Sequence, residues 1–102
     1  MIRALETEVF RRWLKGLKDR AAAQRINVRI IRLRLGNPGD TRPVGEGVSE
    51  LRLDFGPGYR FYFATKGAAL IVLLAGGDKS TQRRDIERAK ALWRIVKDEW
   101  NG

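Results

Sequence analysis

Apolar residues recur at helical spacing in three stretches of the chain, and a residue able to cap a helix precedes each stretch. Thr7 is the predicted cap of a first helix that ends near Gly16, and Asp19 is the predicted cap of a second. A run of glycine, asparagine and proline should end the second helix. Ser80 or Thr81 should cap the last helix. The apolar stripe of that last helix consists of Ile86, Ala89, Trp93, Val96 and Trp100.

Strand patterns fill the second half of the chain. Apolar and polar residues alternate from Glu50 to Tyr62 (ELRLDFGPGYRFY), which predicts a hairpin that turns at residues 56–58. If the leucines and phenylalanines of this hairpin face the core, Arg52, Arg60 and Tyr62 share the opposite, solvent-exposed face. Residues 69–74 (ALIVLL) are nearly all apolar, which predicts a strand buried on both faces at the centre of the sheet.

Together with a short strand in residues 1–6, these elements have the order β-α-α-β-β-β-α. Residues 41–47 are predicted only as a short extended stretch, because proline and glycine interrupt them. The predicted fold class is α+β, with a mostly antiparallel twisted sheet, two N-terminal helices and one C-terminal helix. At this length, residues 1–102 should form a single domain.

Charge and composition narrow the range of functions. Lysine and arginine number 21 against 12 aspartates and glutamates, and the net charge of +9 favours a polyanionic partner, either nucleic acid or an acidic protein segment. The chain has no cysteine and no histidine, and so lacks the commonest metal ligands and the commonest general base. We therefore expect no metal and no cofactor. Since no segment has the pattern of a signal peptide or a membrane span, we expect a cytoplasmic protein without a membrane partner.

The element order, together with the segments GVSELRLDFGPGYRFYF and LLAGGDKSTQRRDIERAKAL, resembles the RelE/ParE toxin superfamily. Within it, the chain is most similar to the HigB-like addiction-module killer proteins. The resemblance implies the toxin of a type II toxin–antitoxin module, with a cognate antitoxin that is typically a helix-turn-helix protein like HigA. Many members are ribosome-dependent mRNA endoribonucleases, which implies the ribosome and mRNA as partners. The ParE branch instead inhibits DNA gyrase. That alternative stays open, as does a non-catalytic basic nucleic-acid-binding module.

The resemblance also implies site residues by position. Arg60 falls where RelE-type nucleases have an arginine that contacts the scissile phosphate. Arg52 falls where RelE has one of two lysines, and the second of those lysines would fall at Glu50. Lys79 lies near the second phosphate-binding arginine of the family. Asp85 lies close to a position that is tyrosine in RelE, so the resemblance makes it a candidate catalytic residue.

A nuclease of this kind needs no metal, because RNA supplies its own nucleophile, the 2′-hydroxyl. Arginine suits the task of neutralising the phosphate, since its planar guanidinium matches phosphate oxygens in pairs and stays protonated. Tyr62 could stack on a base or cover the sheet, and Arg83 and Arg84 could contact RNA phosphates. The candidates for proton transfer are Asp54, Glu50, Tyr62, Lys79 and Asp85.

Overall fold

A computed structural model describes residues 2–99 of the chain. The elements in that range are β1 (Arg3–Glu6), α1 (Glu8–Gly16), α2 (Arg20–Arg34), β2 (Thr41–Gly45), β3 (Val48–Arg52), β4 (Arg60–Lys66), β5 (Leu70–Gly77), a 3₁₀ turn (Lys79–Thr81) and α3 (Gln82–Val96). The α+β class with a mostly antiparallel sheet is confirmed. None of the helices in this range is both long and apolar enough to cross a lipid bilayer.

The element order differs from the predicted one because residues 41–45 form a true strand, β2. Pro43 is tolerated there because β2 lies at the edge of the sheet, where one side of the strand needs no ladder partners. A shift in register between Pro43 and Gly45 marks a bulge against β3. A second difference is that β5 extends beyond the apolar run in residues 69–74 and ends at Gly77.

The predicted caps of the first two helices are confirmed. The Thr7 side chain accepts a hydrogen bond from the backbone N–H of Phe10 at 3.0 Å, and α2 begins in the same way at Asp19. Each bond satisfies a donor that the first turn of a helix leaves unpaired. The start of α3 agrees with the prediction in part. Thr81 is the N-cap residue of α3, but its side chain makes no capping hydrogen bond. Asp78 instead caps the 3₁₀ turn that leads into α3, and its carboxylate accepts from the backbone N–H of Ser80 at 2.8 Å.

The strands lie in the order β1-β5-β4-β3-β2. β1 runs parallel to β5, and every other neighbouring pair is antiparallel. β5 is therefore an interior strand, and its residues 70–75 are all buried, as the apolar run predicted.

Helices cover both faces of the sheet, each over its own apolar core. The core under α1 and α2 consists of Phe10, Ile26, Leu33, Leu51, Leu53, Phe61, Phe63, Ile71 and Leu73. The core under α3 consists of Val48, Tyr62, Ala64, Leu70, Val72, Leu74, Ala75, Ala89, Trp93 and Val96. The hairpin face that was predicted to be solvent-exposed thus lies on the side of α3, and that prediction is wrong. The physical reason is that the apolar stripe of α3 must itself be buried against something. Trp100, assigned to the same stripe, lies outside the described residues.

Candidate functional site

The β3–β4 hairpin brings two arginines to one place. Arg52, the last residue of β3, pairs with Arg60, the first residue of β4, so both side chains leave the same face of the sheet. The connection between them is longer than predicted and covers residues 53–59. It is closed by a hydrogen bond from the N–H of Leu53 to the carbonyl of Tyr59 at 2.9 Å. The connection still has an odd number of residues, and the predicted shared face of the two arginines is confirmed.

The Arg60 guanidinium is buried beneath the protein surface. Arg60 is only 5% exposed. Its Nη1 donates to the carbonyl of Gly58 at 2.9 Å, and its Nε lies 3.7 Å from a carboxylate oxygen of Glu50. Within residues 2–99 this buried Nε has no hydrogen-bond partner. Glu50 therefore balances the charge of Arg60 without satisfying its donor.

Glu50 accepts hydrogen bonds from three side chains in the interior of the site. Its Oε1 accepts from Nε of Arg42 at 3.0 Å, and its Oε2 accepts from Tyr62 Oη at 3.1 Å and from Gln82 Nε2 at 2.9 Å. Burial acts to raise the pKa of this carboxyl. The hydrogen bonds from Arg42 and Gln82 and the charge of Arg42 outweigh burial and hold the pKa below its ordinary value of 4.5. Glu50 is thus an ionised, buried counter-charge for Arg60.

Tyr62 has no exposed surface and lies in the core under α3. The prediction that it sits on a solvent-exposed face is therefore wrong, and its ring cannot stack on a base. Burial and the nearby Glu50 carboxylate raise the pKa of Tyr62 above its ordinary value of 10.0. The phenol consequently stays neutral and serves as a hydrogen-bond donor to Glu50.

Three of the predicted cations meet in one cleft of about 310 Å³, which Arg52, Arg60 and Lys79 line together. Lys79 belongs to the 3₁₀ turn, whose backbone is tied to the hairpin loop by a hydrogen bond from the Lys79 N–H to the Pro57 carbonyl at 3.4 Å. Gly58 permits the close approach, with φ at +78° and no room for a side chain. A Cβ there would lie 3.2 Å from Nη1 of Arg60 and 3.3 Å from Cβ of Lys79. We call this site the cationic cleft.

Carboxylates also line the cationic cleft, namely those of Asp40 and Asp54. Arg52 is about half exposed and pairs with Asp40, with 3.1 Å between Nε and Oδ2. An exposed pair of this kind is weakly held, so an incoming phosphate can compete with Asp40 for Arg52. Asp54 is exposed, which makes it accessible for proton transfer. No group of acidic side chains within residues 2–99 is arranged to hold a metal ion.

Asp85 lies in a second cleft of about 460 Å³, which it shares with Trp13, Gly77 and Arg84. It is 4% exposed and accepts a hydrogen bond from the hydroxyl of Thr81. Its carboxylate rests on the backbone of Gly77 so closely that a Cβ at that position would overlap it. The structure therefore gives Asp85 a different cleft from the one that holds the three cations. Arg84 and its neighbour Arg83 are exposed in the first turn of α3.

The network around Glu50 is what sequence reasoning missed. A partial signal was present, because the hairpin register places Glu50 directly opposite Tyr62, a carboxylate beside a phenol. The contribution of Gln82 could not be read from spacing, since it depends on where α3 crosses the sheet. The contact of Arg42 with Glu50 could not be predicted either, because residues 41–45 were not predicted to form a strand.

Comparison with known proteins places this fold in a family. Residues 12–94 match the model of the family described as Phage derived protein Gp49-like (DUF891). The chain is also 50% identical over 86 residues to an uncharacterized protein of Haemophilus influenzae (strain ATCC 51907 / DSM 11121 / KW20 / Rd), covering 84% of this chain and 87% of that protein. The matched family range contains the whole cationic cleft. The chain belongs to the Gp49-like family, which is related to toxin–antitoxin systems of the RelE/HigB kind.

Proposed function

We propose that this protein is the toxin of a type II toxin–antitoxin module and acts as a metal-independent, ribosome-dependent mRNA endoribonuclease. The observation that carries the proposal is the cationic cleft, where Arg52, Arg60 and Lys79 converge beside exposed carboxylates. Three positive groups around one small cleft suit a scissile phosphate, whose negative charge grows as the reaction proceeds. The proposal extends to a HigB-like toxin specifically, with a HigA-like helix-turn-helix antitoxin as partner.

The proposed chemistry uses the RNA itself as nucleophile. The 2′-oxygen loses its proton and forms a bond to phosphorus while the bond from phosphorus to the 5′-oxygen breaks, which leaves a cyclic phosphate and a 5′-hydroxyl end. The protein has to hold these atoms in line, neutralise the phosphoryl oxygens and move two protons. The ribosome would supply the positioning of the mRNA.

Four residues of the cationic cleft have a task in this reaction. Arg52 and Lys79 are exposed and bind the phosphoryl oxygens directly. Arg60 lies at the floor, and because Arg42 and Arg60 share the single carboxylate of Glu50, these three side chains together keep a net positive charge. Asp54 is the accessible carboxylate for proton transfer, and Lys79 is the accessible acid.

The remaining predicted residues take other roles in the proposal. Tyr62 acts through Glu50, which positions Arg60, and touches no substrate. Arg83 and Arg84 contact phosphates of RNA outside the cleft, because both are exposed and lie just after Lys79 in the chain. Asp85 has no step in the reaction, since it lines the second cleft.

Induced expression followed by mapping of mRNA 5′ ends tests the proposal. An mRNA endoribonuclease should produce new ends within translated codons and stop growth. Intact mRNA together with broken DNA would instead identify a gyrase inhibitor. Normal growth with intact mRNA and intact DNA would identify a non-catalytic binding module. Either of these outcomes would refute the nuclease.

A further inference from the structure

The solvent-facing side of α2 has an unusual composition. The helix contains several arginines and no acidic residue (RAAAQRINVRIIRLR). Large aliphatic side chains nevertheless stand exposed between those arginines, with Val28 at 53%, Ile31 at 50% and Leu35, just after the helix, at 61% exposure. A helix that faces only water normally has a polar outer face. Apolar groups mixed with charges of one sign indicate a surface that binds a partner.

A groove of about 480 Å³ runs between this helix and the hairpin loop. Its lining has an apolar part, Val28, Leu53 and Phe55, which we call the floor, and three arginines, Arg25, Arg29 and Arg32, which we call the rim. Asp54 also lines the groove. We call it the α2 groove.

The rim arginines keep their charge available. The guanidinium of Arg25 stacks over the ring of Phe55, 4.5 Å from its centre. Arg29 is held by the carbonyl of Pro38 at 3.0 Å, and its buried Nε has no partner among the described residues. Arg32 is exposed. Across residues 2–99 none of these three arginines forms an ion pair with a carboxylate, so their positive charges are not neutralised within this part of the chain.

We propose that the α2 groove is the docking site for an acidic amphipathic segment of the antitoxin. Apolar side chains of that segment would fill the floor, and its aspartates and glutamates would pair with the arginine rim. This inference rests on the proposed function, because it takes the antitoxin as the partner. Charge complementarity selects the occupant. A second copy of this chain would bring the same arginines face to face, and RNA phosphates would leave the apolar floor uncovered.

The α2 groove lies next to the cationic cleft. Leu53 and Asp54 line both the α2 groove and the cationic cleft, so the two share a wall. A segment seated in the groove would therefore contact two residues that also line the cationic cleft.

Titration of the isotope-labelled chain with a synthetic acidic amphipathic peptide, followed by NMR, tests the docking site. The peptide carries leucines at helical spacing and glutamates elsewhere, and a scrambled peptide of the same composition is the control. Val28→Asp and Arg32→Glu alter the groove. Ile95→Asp and Arg88→Glu are matched changes at exposed positions of α3, where Ile95 is 63% exposed.

We expect the peptide, and not its scrambled form, to shift backbone signals of α2 and residues 53–55. The two groove variants should each weaken binding by about tenfold or more, while the two α3 variants leave it unchanged. Absence of shifts in the groove, or equal effects of groove and α3 variants, would overturn the docking site. So would a dimer that Val28→Asp dissociates, or single-stranded RNA shifting the groove where the peptide does not. Cleavage of mRNA is measured separately. The docking proposal can therefore be refuted while the nuclease proposal is upheld, and the nuclease proposal can be refuted while the docking proposal is upheld.

Discussion

Replacing Glu50 with glutamine keeps the size of the side chain and removes its charge. Arg60 then stays 5% exposed without the counter-charge that lay 3.7 Å from its Nε. Removal of one partner from a buried ion pair destabilises a protein by about 3–5 kcal/mol, because the remaining charge is still withheld from water. Since a domain has a free energy of unfolding of only about 5–15 kcal/mol, we expect Glu50→Gln to lose a large part of its stability.

A surface ion pair supplies the matched control. Glu46 pairs with Arg94 at 2.6 Å, a shorter distance than that between Glu50 and Arg60, but the side chains are 44% and 56% exposed. Water can replace either partner there, so Glu46→Gln should leave stability nearly unchanged. Urea unfolding followed by tryptophan fluorescence at neutral pH measures both variants. The free energies are compared only if the slopes with urea agree.

A double variant tests whether the unpaired charge of Arg60 causes the loss of stability. Adding Arg60→Met to Glu50→Gln removes that charge and should recover much of the lost stability. Equal stability of Glu50→Gln and Glu46→Gln would contradict a role for Glu50 as the counter-charge of Arg60. A double variant less stable than Glu50→Gln alone would contradict it as well.

Three further predictions concern Glu50, Tyr62 and Gly77. Because the pKa of Glu50 is held below 4.5, its ionised form stabilises the fold above that pH, and the contribution is lost as pH falls. The difference in stability between wild type and Glu50→Gln, measured by circular dichroism, should therefore shrink in acid. A difference that stays constant with pH would contradict this. Because the pKa of Tyr62 is raised above 10.0, its neutral form stabilises the fold below that pH, and the contribution is lost as pH rises further. In an absorbance titration, Tyr62→Phe should remove a phenol that ionises only well above pH 10, and an unchanged absorbance rise in that range would refute this. Gly77→Ala should destabilise the protein by about 1–3 kcal/mol in urea unfolding, because the added Cβ would overlap Asp85. Gly16→Ala is the control and should change stability little, because the added Cβ has no atom within 4 Å. Equal effects of the two substitutions would contradict the packing of Asp85 on Gly77.

Local signals in the sequence predicted the elements well, because their causes are local. Thr7 and Asp19 cap helices through their own neighbours, and the apolar run in residues 69–74 can only be a buried strand or helix. The pairing of Arg52 with Arg60 followed from alternation and an odd connection. These features needed no knowledge of the rest of the fold.

The environment of the site could not be predicted in the same way. Whether Tyr62 faces water or core depends on where α3 packs, and no spacing within the hairpin encodes that position. The apolar stripe of α3 showed that the helix covers something, without showing what. Glu50 was interpreted from the sequence only as standing in place of a lysine and as a candidate for proton transfer. The structure makes it the acceptor for three side chains and the counter-charge of Arg60.

The frequency of mRNA 5′ ends within translated codons, compared among cleft variants at equal expression, tests the central claim most directly. Arg52→Gln and Lys79→Gln alter exposed side chains of the cationic cleft, and Arg94→Gln alters an exposed arginine that pairs with Glu46 elsewhere. We expect wild type and Arg94→Gln to cut the same codons, and each cleft variant to cut them less by about tenfold or more. Cutting by both cleft variants at the wild-type frequency would show that the cationic cleft is not the site of the reaction.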